Sequence, residues 1–260
     1  MNGSHSFVIC AYKDSDYLET LIDSLLAQTV QSKILVSTST PTDSTYSAAD
    51  KHGFEVFVNP VAGGIGSDWN FAYSHADTDY VTLAHQDDVY EPAYTEQVLA
   101  MYAKAKNPIL VYTNYFEIRP EGRVTDNRLL KIKSLMNKPI AAFPKSRFVR
   151  NRVFSMGCPV ICPSVAYNKK RFPEFTFVTD MMTDLDWEAW YRLSQEPGEF
   201  IYIKDRLVGH RIHEGSGTSG GIESGARSAE DLEMYKRYWP DGIARILHRF
   251  YEKGLDSNKT

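Results

Sequence analysis

Short apolar runs alternate with helix-spaced segments through the first 115 residues of this 260-residue chain, and that alternation constrains the fold more than any other feature. Phe7-Val8-Ile9-Cys10-Ala11, Lys33-Ile34-Leu35-Val36-Ser37, Phe54-Glu55-Val56-Phe57-Val58 and Tyr80-Val81-Thr82-Leu83-Ala84 are β-branched and aromatic runs bounded by turn residues, which is how buried strands read. Between them Leu18, Leu21, Ile22, Leu25 and Leu26 recur at helical spacing, and Tyr46 to His52, closed by Gly53, and residues 67–76 also fit helices. Asn59-Pro60 breaks the third run, and Gly63-Gly64-Ile65-Gly66 reads as a flexible loop. Strand–helix alternation at this spacing predicts an α/β fold with a mostly parallel, Rossmann-like central sheet flanked by helices on both faces.

The pattern continues with a helix over Tyr94 to Ala105 and a strand over Ile109 to Tyr112. From Ile118 to Asn151 it weakens and the charge turns positive, with Arg123, Arg128, Lys131, Lys133, Lys138, Lys145, Arg147 and Arg150, so this stretch reads as an insertion or irregular region rather than a separate domain. Val160 to Tyr167 resumes strand character, Asp184 to Leu193 is an amphipathic helix, and Glu199 to Ile203 is a late strand. Residues 215–227 hold five glycines and read as a mobile segment, and a helix over Ala229 to Tyr251 is interrupted near Pro240. The expected division is one main domain over 1–228, with halves of about 1–115 and 116–228, and a helical extension over 229–260.

A net charge of −4 argues against a nucleic-acid binder that works through bulk phosphate attraction. The chain holds no apolar run of 18 residues, and Met1 to Ser6 lacks the basic and apolar regions of a secretory signal. Three cysteines, Cys10, Cys158 and Cys162, argue by their odd number against a disulfide framework and fit a reducing cytoplasm. Cys158 and Cys162 with His210 and His213 invite a zinc site, but His-x-x-His is short for one, and the apolar surroundings of the cysteines read as burial.

The strand at Tyr80 ends in Asp87-Asp88, at the carboxyl edge where open α/β sheets place ligands. Adjacent carboxylates repel, and a hard divalent cation that also binds phosphate oxygens compensates them. Around this pair lie further elements in order: Val8 to Lys13, Gly64 to Asn70, His85-Gln86-Asp87-Asp88, Leu185-Asp186-Trp187-Glu188-Ala189-Trp190-Tyr191-Arg192, and Arg211-Ile212-His213-Glu214-Gly215-Ser216. Together they resemble the inverting family-2 glycosyltransferases of the GT-A fold, over roughly residues 5 to 218.

That resemblance implies transfer of a sugar from a nucleotide-diphosphate donor to a hydroxyl of a glycan or lipid-linked glycan, as in bacterial surface polysaccharide synthesis. It implies Mn²⁺ or Mg²⁺ held by Asp87, Asp88 and His213, and Asp186 as the base that takes the acceptor proton. It places Ala11, Tyr12, Ser39, Asn70, Gln86, Asp87, Arg211 and Ser216 around a donor that is a UDP-sugar by default, with dTDP and GDP open. The chain departs from the family pattern in three places: His85 opens the acidic motif, Thr38 and Ser39 stand where an acid after the second strand is common, and Trp69 stands where Arg is common. These departures keep open a catalytically silent sugar-nucleotide-binding or scaffold protein. A nucleotidyltransferase fits less well, because Ala11-Tyr12-Lys13-Asp14-Ser15 is a poor phosphate loop. The basic and aromatic C-terminal helix suits peripheral contact with an anionic membrane. Packing on the sheet through Ile243, Leu247 and Phe250 is the preferred reading of it.

Overall fold

A computed structural model of the chain describes residues 4–61, 63–213 and 226–256. Its strands are β1 (His5–Ala11), β2 (Lys33–Thr38), β3 (Glu55–Val58), β4 (Tyr80–His85), β5 (Val89–Tyr90), β6 (Pro108–Arg119), β7 (Gly122–Val124), β8 (Val165–Asn168) and β9 (Glu199–Arg211). The helices are α1 (Leu18–Leu26), α2 (Asp43–His52), α3 (Gly64–His75), α4 (Tyr94–Lys104), α5 (Arg128–Ala142), α6 (Arg147–Phe154), α7 (Leu185–Ser194), α8 (Ala226–Tyr238) and α9 (Asp241–Asp256).

The strands join in one sheet in the order β3-β2-β1-β4-β8-β6-β9-β5, with β7 paired to β6. β3, β2, β1 and β4 run parallel, and β8 is inserted antiparallel between β4 and β6. Alternation of side chains along each strand separates two cores. Phe7, Ile9 and Ala11 of β1 pack with Leu18, Leu21, Ile22 and Leu25 of α1 and with Tyr94, Val98 and Tyr102 of α4. Val8 points the other way, into a core with Trp69, Ala72 and Tyr73 of α3 and Trp187 and Trp190 of α7. Trp187 and Trp190 are fully buried, and truncating either to Ala would cost roughly 3–5 kcal/mol.

The structure corrects the sequence reading in several places. Gly64 and Gly66 are not loop residues but form the first turn of α3. A Cβ at Gly66 would lie 2.1 Å from the Val178 carbonyl oxygen, so the glycine serves a close helix–backbone approach. The basic stretch 118–151 is not irregular: it continues β6 to Arg119 and then builds β7, α5 and α6. The apolar run at Val160 enters the sheet only from Val165, after a 3₁₀ turn over Cys162–Ser164. The glycine-rich expectation at 215–227 falls largely outside the described residues.

The C-terminal helix is split at Pro240 into α8 and α9. Met234, Tyr235 and Ala244 join the same core as α7. In α9, Leu247 packs against this core as expected, but Ile243 and Phe250 do not: they are 45% and 70% exposed, in line with Ile246 at 55%.

α8 also ties down the start of α7. Asp184, at the N-cap of α7, makes no side-chain cap bond, and Glu230 replaces it. Its carboxylate accepts the N–H groups of Met182, Thr183 and Asp184 at 2.7, 2.8 and 3.0 Å. Burial pushes the Glu230 carboxyl up, but these donors outweigh it and hold the group below the usual carboxylate range. Glu230→Ala orphans three amides, so it should lower stability by about 1–3 kcal/mol in chemical denaturation. An unchanged midpoint would show that water replaces the carboxylate without loss.

Candidate functional site

The parallel strands β1, β2 and β4 deliver their carboxyl ends to one edge, and the residues just beyond them form the site. Register pairs Cys10 with His85 and Ala11 with Thr38, so Tyr12, Ser39 and Gln86 emerge side by side. Gln86 bridges two of these strand ends: its Oε1 accepts the Tyr12 N–H and its Nε2 donates to the Tyr12 carbonyl, both at 2.9 Å. Both polar ends of Gln86 are thereby committed to backbone. The ring of Tyr12 stays half exposed, and Ala11 is buried in the sheet.

Asp88 is fully buried behind this edge. Its Oδ1 accepts the backbone N–H of Arg211 at 3.0 Å and pairs with Nδ1 of His210 at 3.0 Å, both from the end of β9. Its Oδ2 has no hydrogen-bond partner and points toward His85, whose Nδ1 is 4.0 Å away. Burial alone would push the Asp88 carboxyl up, but His210, His85 and the Arg211 amide hold it below the carboxylate range. Burial lowers His85 and keeps its imidazole neutral, and the ring stacks on Trp69 at 5.2 Å. Trp69 is only 9% exposed, so it supports His85 rather than presenting an open platform.

Asp87 is more accessible. Its Oδ2 lies 2.8 Å from Nε2 of His213, and its carbonyl accepts from Nε of Arg211 at 2.8 Å. The Arg211 guanidinium sits 4.2 Å over the ring of Tyr17, and His213 meets the edge of the same ring. Donor atoms of His85, Asp87 and Asp88 all lie within 4.8 Å of one another, the one such group of His, Cys, Asp and Glu among the described residues. Two carboxylates and a neutral imidazole, with an orphaned oxygen on Asp88 and an orphaned Nε2 on His85, suit a divalent cation of the Mn²⁺ type. The fit includes His85, the residue with which the chain departs from the family pattern at the head of the acidic motif.

The zinc alternative has no counterpart. Cys158 and Cys162 are free, and Cys162 is buried with its Sγ against the Tyr167 hydroxyl at 3.6 Å. His210 and His213 turn instead to Asp88 and Asp87.

α7 carries three acids, and the helix turns them to different tasks. Glu188 is buried and structural, bound to Arg192 and to Arg237 of α8 at 2.7 Å each. Asp184 is buried near Asp231 of α8, and burial first, then its acidic neighbours, raises its carboxyl so that it keeps a proton at neutral pH. Asp186 points elsewhere and is partly exposed. One oxygen accepts the Trp187 N–H at 2.6 Å. Burial raises its carboxyl to about 6, against the opposing pull of the Trp187 amide, Lys133 and Arg227.

Two groups feel both Asp186 and the surroundings of Asp88 electrostatically. Lys133 of α5 acts electrostatically on both Asp186 and His210, the partner of Asp88. The buried Cys162 thiol, raised first by burial, feels both Asp186 and Asp88. Asn70 does not present its amide to this region: both ends clamp the Phe177 backbone, at 2.9 and 2.6 Å. Ser39 donates its hydroxyl to Asp68 at 2.8 Å. Ser216 lies outside the described residues.

The sequence reading missed three residues here. His210 entered it only through the zinc possibility. Lys133 was one basic residue among many in a stretch read as irregular. Asp68 lay inside a glycine motif weighed for its glycines and Asn70. No local pattern marks any of them, because each acquires its role from a strand or helix distant in sequence.

A mostly parallel α/β sheet flanked by helices, with an acidic, cation-suited cluster at the carboxyl edge of its parallel strands, is the architecture of a GT-A type transferase fold. Residues 6–172 match the pattern of glycosyl transferase family 2, and the chain belongs to that family. It is 22% identical over 254 residues to an uncharacterised glycosyltransferase of Rickettsia typhi, covering 93% of this chain and 72% of that one. It is 32% identical over 127 residues to the chondroitin synthase of Pasteurella multocida, covering 47% of this chain and 13% of the synthase. Among solved structures, a mannosyltransferase from Pyrobaculum calidifontis in complex with GDP-Man and Mn²⁺ superposes with a TM-score of 0.66 at 14% identity, covering 95% of this chain and 69% of that one. S. aureus TarS in complex with UDP-GlcNAc superposes with a TM-score of 0.65 at 13% identity, covering 94% and 70%. Among the described residues no helix is long and apolar enough to cross a membrane.

Proposed function

We propose that the protein is a metal-dependent inverting glycosyltransferase that moves a sugar from a nucleotide-diphosphate donor to a hydroxyl of a glycan or lipid-linked glycan. The observation that carries this reading is the cluster of His85, Asp87 and Asp88 at the carboxyl edge of β4, with its two orphaned ligand atoms. Asp87, Asp88 and His85, with His213 beside Asp87, would hold the cation, which when bound offsets charge on the donor diphosphate. Arg211 stands next to Asp87 and is placed to contact phosphate oxygens. Tyr12 offers an exposed ring for stacking on the base.

Asp186 acts as the base. A carboxyl held near 6 is ionised at pH 7 yet close enough to neutrality to accept a proton as the acceptor oxygen attacks. The new bond forms between that oxygen and the anomeric carbon while the bond to the diphosphate breaks, and the acceptor proton passes to the carboxylate. Burial raises the group, and the Trp187 amide and then Lys133 oppose that rise. Purified protein incubated with a panel of UDP-, GDP- and dTDP-sugars and Mn²⁺ should release nucleoside diphosphate from one donor class. Failure with every donor, with and without metal, would favour the catalytically silent alternative.

A lipid-linked acceptor in surface polysaccharide synthesis, met at the cytoplasmic face of a membrane, fits the outer side of α9. There Ile243, Ile246 and Phe250 are exposed, flanked by the exposed Arg245 and Arg249. The protein should co-sediment with anionic vesicles and far less with neutral ones, and Phe250→Glu should weaken that binding. Equal behaviour on both vesicle types would remove the membrane from the proposal.

A further inference from the structure

The hydrogen bonds to the Asp186 carboxylate come from its own helix turn, chiefly the Trp187 N–H at 2.6 Å. They fix the side chain to α7 but not α7 to the sheet. Where the carboxylate stands is therefore set by whatever holds the first turn of that helix.

The first turn has no cap of its own. Asp184 stands at the N-cap without a cap bond, and its carboxyl turns to Asp231 of α8. The orphaned donors go to Glu230, one residue before Asp231. Its Oε1 accepts the Met182 N–H at 2.7 Å. Its Oε2 accepts the Thr183 N–H at 2.8 Å, the Thr183 hydroxyl at 2.7 Å and the Asp184 N–H at 3.0 Å. A carboxylate at this place also faces the positive end of the α7 dipole.

α8 grips the residues after Asp186 as well. The Trp187 ring meets the ring of Tyr235 edge-on at 5.3 Å, and both are buried. Glu188 accepts from Arg237 at 2.7 Å. The Trp187 indole N–H turns the other way, to the Phe154 carbonyl of α6 at 3.1 Å. Asp186 thus sits between anchors on either side of it that come from one helix, and Glu230 holds the end that lacks a cap.

We propose that Glu230 is a positioning residue for the transfer: by capping α7 from α8, it holds the Asp186 carboxylate where the acceptor hydroxyl meets it. This rests on the reading of Asp186 as the base. A base must stand within hydrogen-bond reach of the proton it takes, and a displacement of about 1 Å can cost about a hundredfold in rate.

Loss of Glu230 frees the first turn of α7 and lets water in around Asp186. Burial is the largest influence on that carboxyl, ahead of the Trp187 amide, Lys133 of α5 and Arg227 of α8. Hydration should therefore lower it from about 6 toward the ordinary carboxylate range. The other titratable groups around it are Asp184, Cys158, Cys162 and Tyr167, all of them raised by burial and neutral at pH 7.

The test compares Glu230→Ala, Glu230→Gln and Val98→Ala. Gln keeps one acceptor oxygen for the amides. Val98 is buried between α4 and β1, so its truncation lowers stability without touching α7. Glu230→Ala should lower kcat about ten- to a hundredfold at unchanged donor KM and Mn²⁺ affinity. Glu230→Gln should recover part of that loss, and Val98→Ala should keep the wild-type kcat. Carbon NMR of the carboxyls, with Asp186 assigned by its absence in Asp186→Asn, should show that group titrating near 6 in the wild type and in Val98→Ala, and lower in Glu230→Ala. If Glu230→Ala does not fold, Glu230→Gln carries both readouts. An unmoved Asp186 titration in the Glu230 variants, or a loss of kcat that Val98→Ala shares, overturns the positioning role while Asp186→Asn still lacks transfer. Full transfer by Asp186→Asn, or none by the wild type, overturns the base reading and this role with it.

Discussion

Asp186→Asn should lower turnover by roughly 10²–10⁴-fold, the range that a positioned general base supplies, while donor affinity stays within a factor of two or so. Asn keeps the shape of the side chain and can still accept the Trp187 N–H, so the fold has no reason to change. What disappears is the basic oxygen that receives the acceptor proton. The same carboxyl sets a pH signature. Burial raises it to about 6, so the wild-type kcat/KM should fall about tenfold per pH unit below that value as the base takes up a proton. Above it the base is ionised and the rate should level off. A variant with normal turnover, or a wild-type rate that holds down to pH 4.5, would remove Asp186 from the mechanism and leave its raised carboxyl as a consequence of burial alone.

Asp87→Asn should cost more than a hundredfold in metal-stimulated turnover and should weaken Mn²⁺ binding. The cation offsets charge on the leaving diphosphate by several kcal/mol, and each 1.36 kcal/mol is worth tenfold in rate. Asp87 is the better residue to test than Asp88. Asp88 is fully buried and holds His210 and the Arg211 amide, so its replacement disturbs the β4–β9 junction as well as the ligand set. Asp87 is partly exposed, and its side chain meets His213. Titration of Mn²⁺ followed by paramagnetic resonance reports the affinity, and donor turnover with and without a chelator reports the rate. Full activity in the chelator would mean that the two carboxylates serve the fold or a cation-free reaction.

The parallel half of the sheet could be read from the chain because its signals are local. β1 to β4 are short apolar runs separated by punctuated helices, and the acids of β4 directly follow their strand, so both strand and site sit in one window of sequence. The later half could not be read in the same way. α5 buries Leu130, Asn137 and Ile140, one of them polar and bonded to the Tyr112 hydroxyl, while Ile132 and Leu135 face outward. Its apolar pattern therefore has no clean helical period. The glycines at 63–66 have the composition of a loop, yet Gly66 is there because the Val178 carbonyl, more than a hundred residues on, leaves no space for a side chain.

The site divides along the same line. Asp87, Asp88 and Asp186 each belong to a motif that can be found by reading along the chain. His210 and Lys133 meet the surroundings of these acids only because β9 and α5 bring them there.

In the proposed reaction the acids ending β4 and the acid on α7 act on one donor molecule. Crystals soaked with Mn²⁺ and a non-hydrolysable nucleotide-sugar, examined by anomalous diffraction at the manganese edge, test it most directly. A single strong peak is expected among His85, Asp87 and Asp88, with the diphosphate bound to it and the anomeric carbon lying between that peak and the Asp186 carboxylate. Manganese bound elsewhere, or a donor sugar whose anomeric carbon faces away from Asp186, would contradict it.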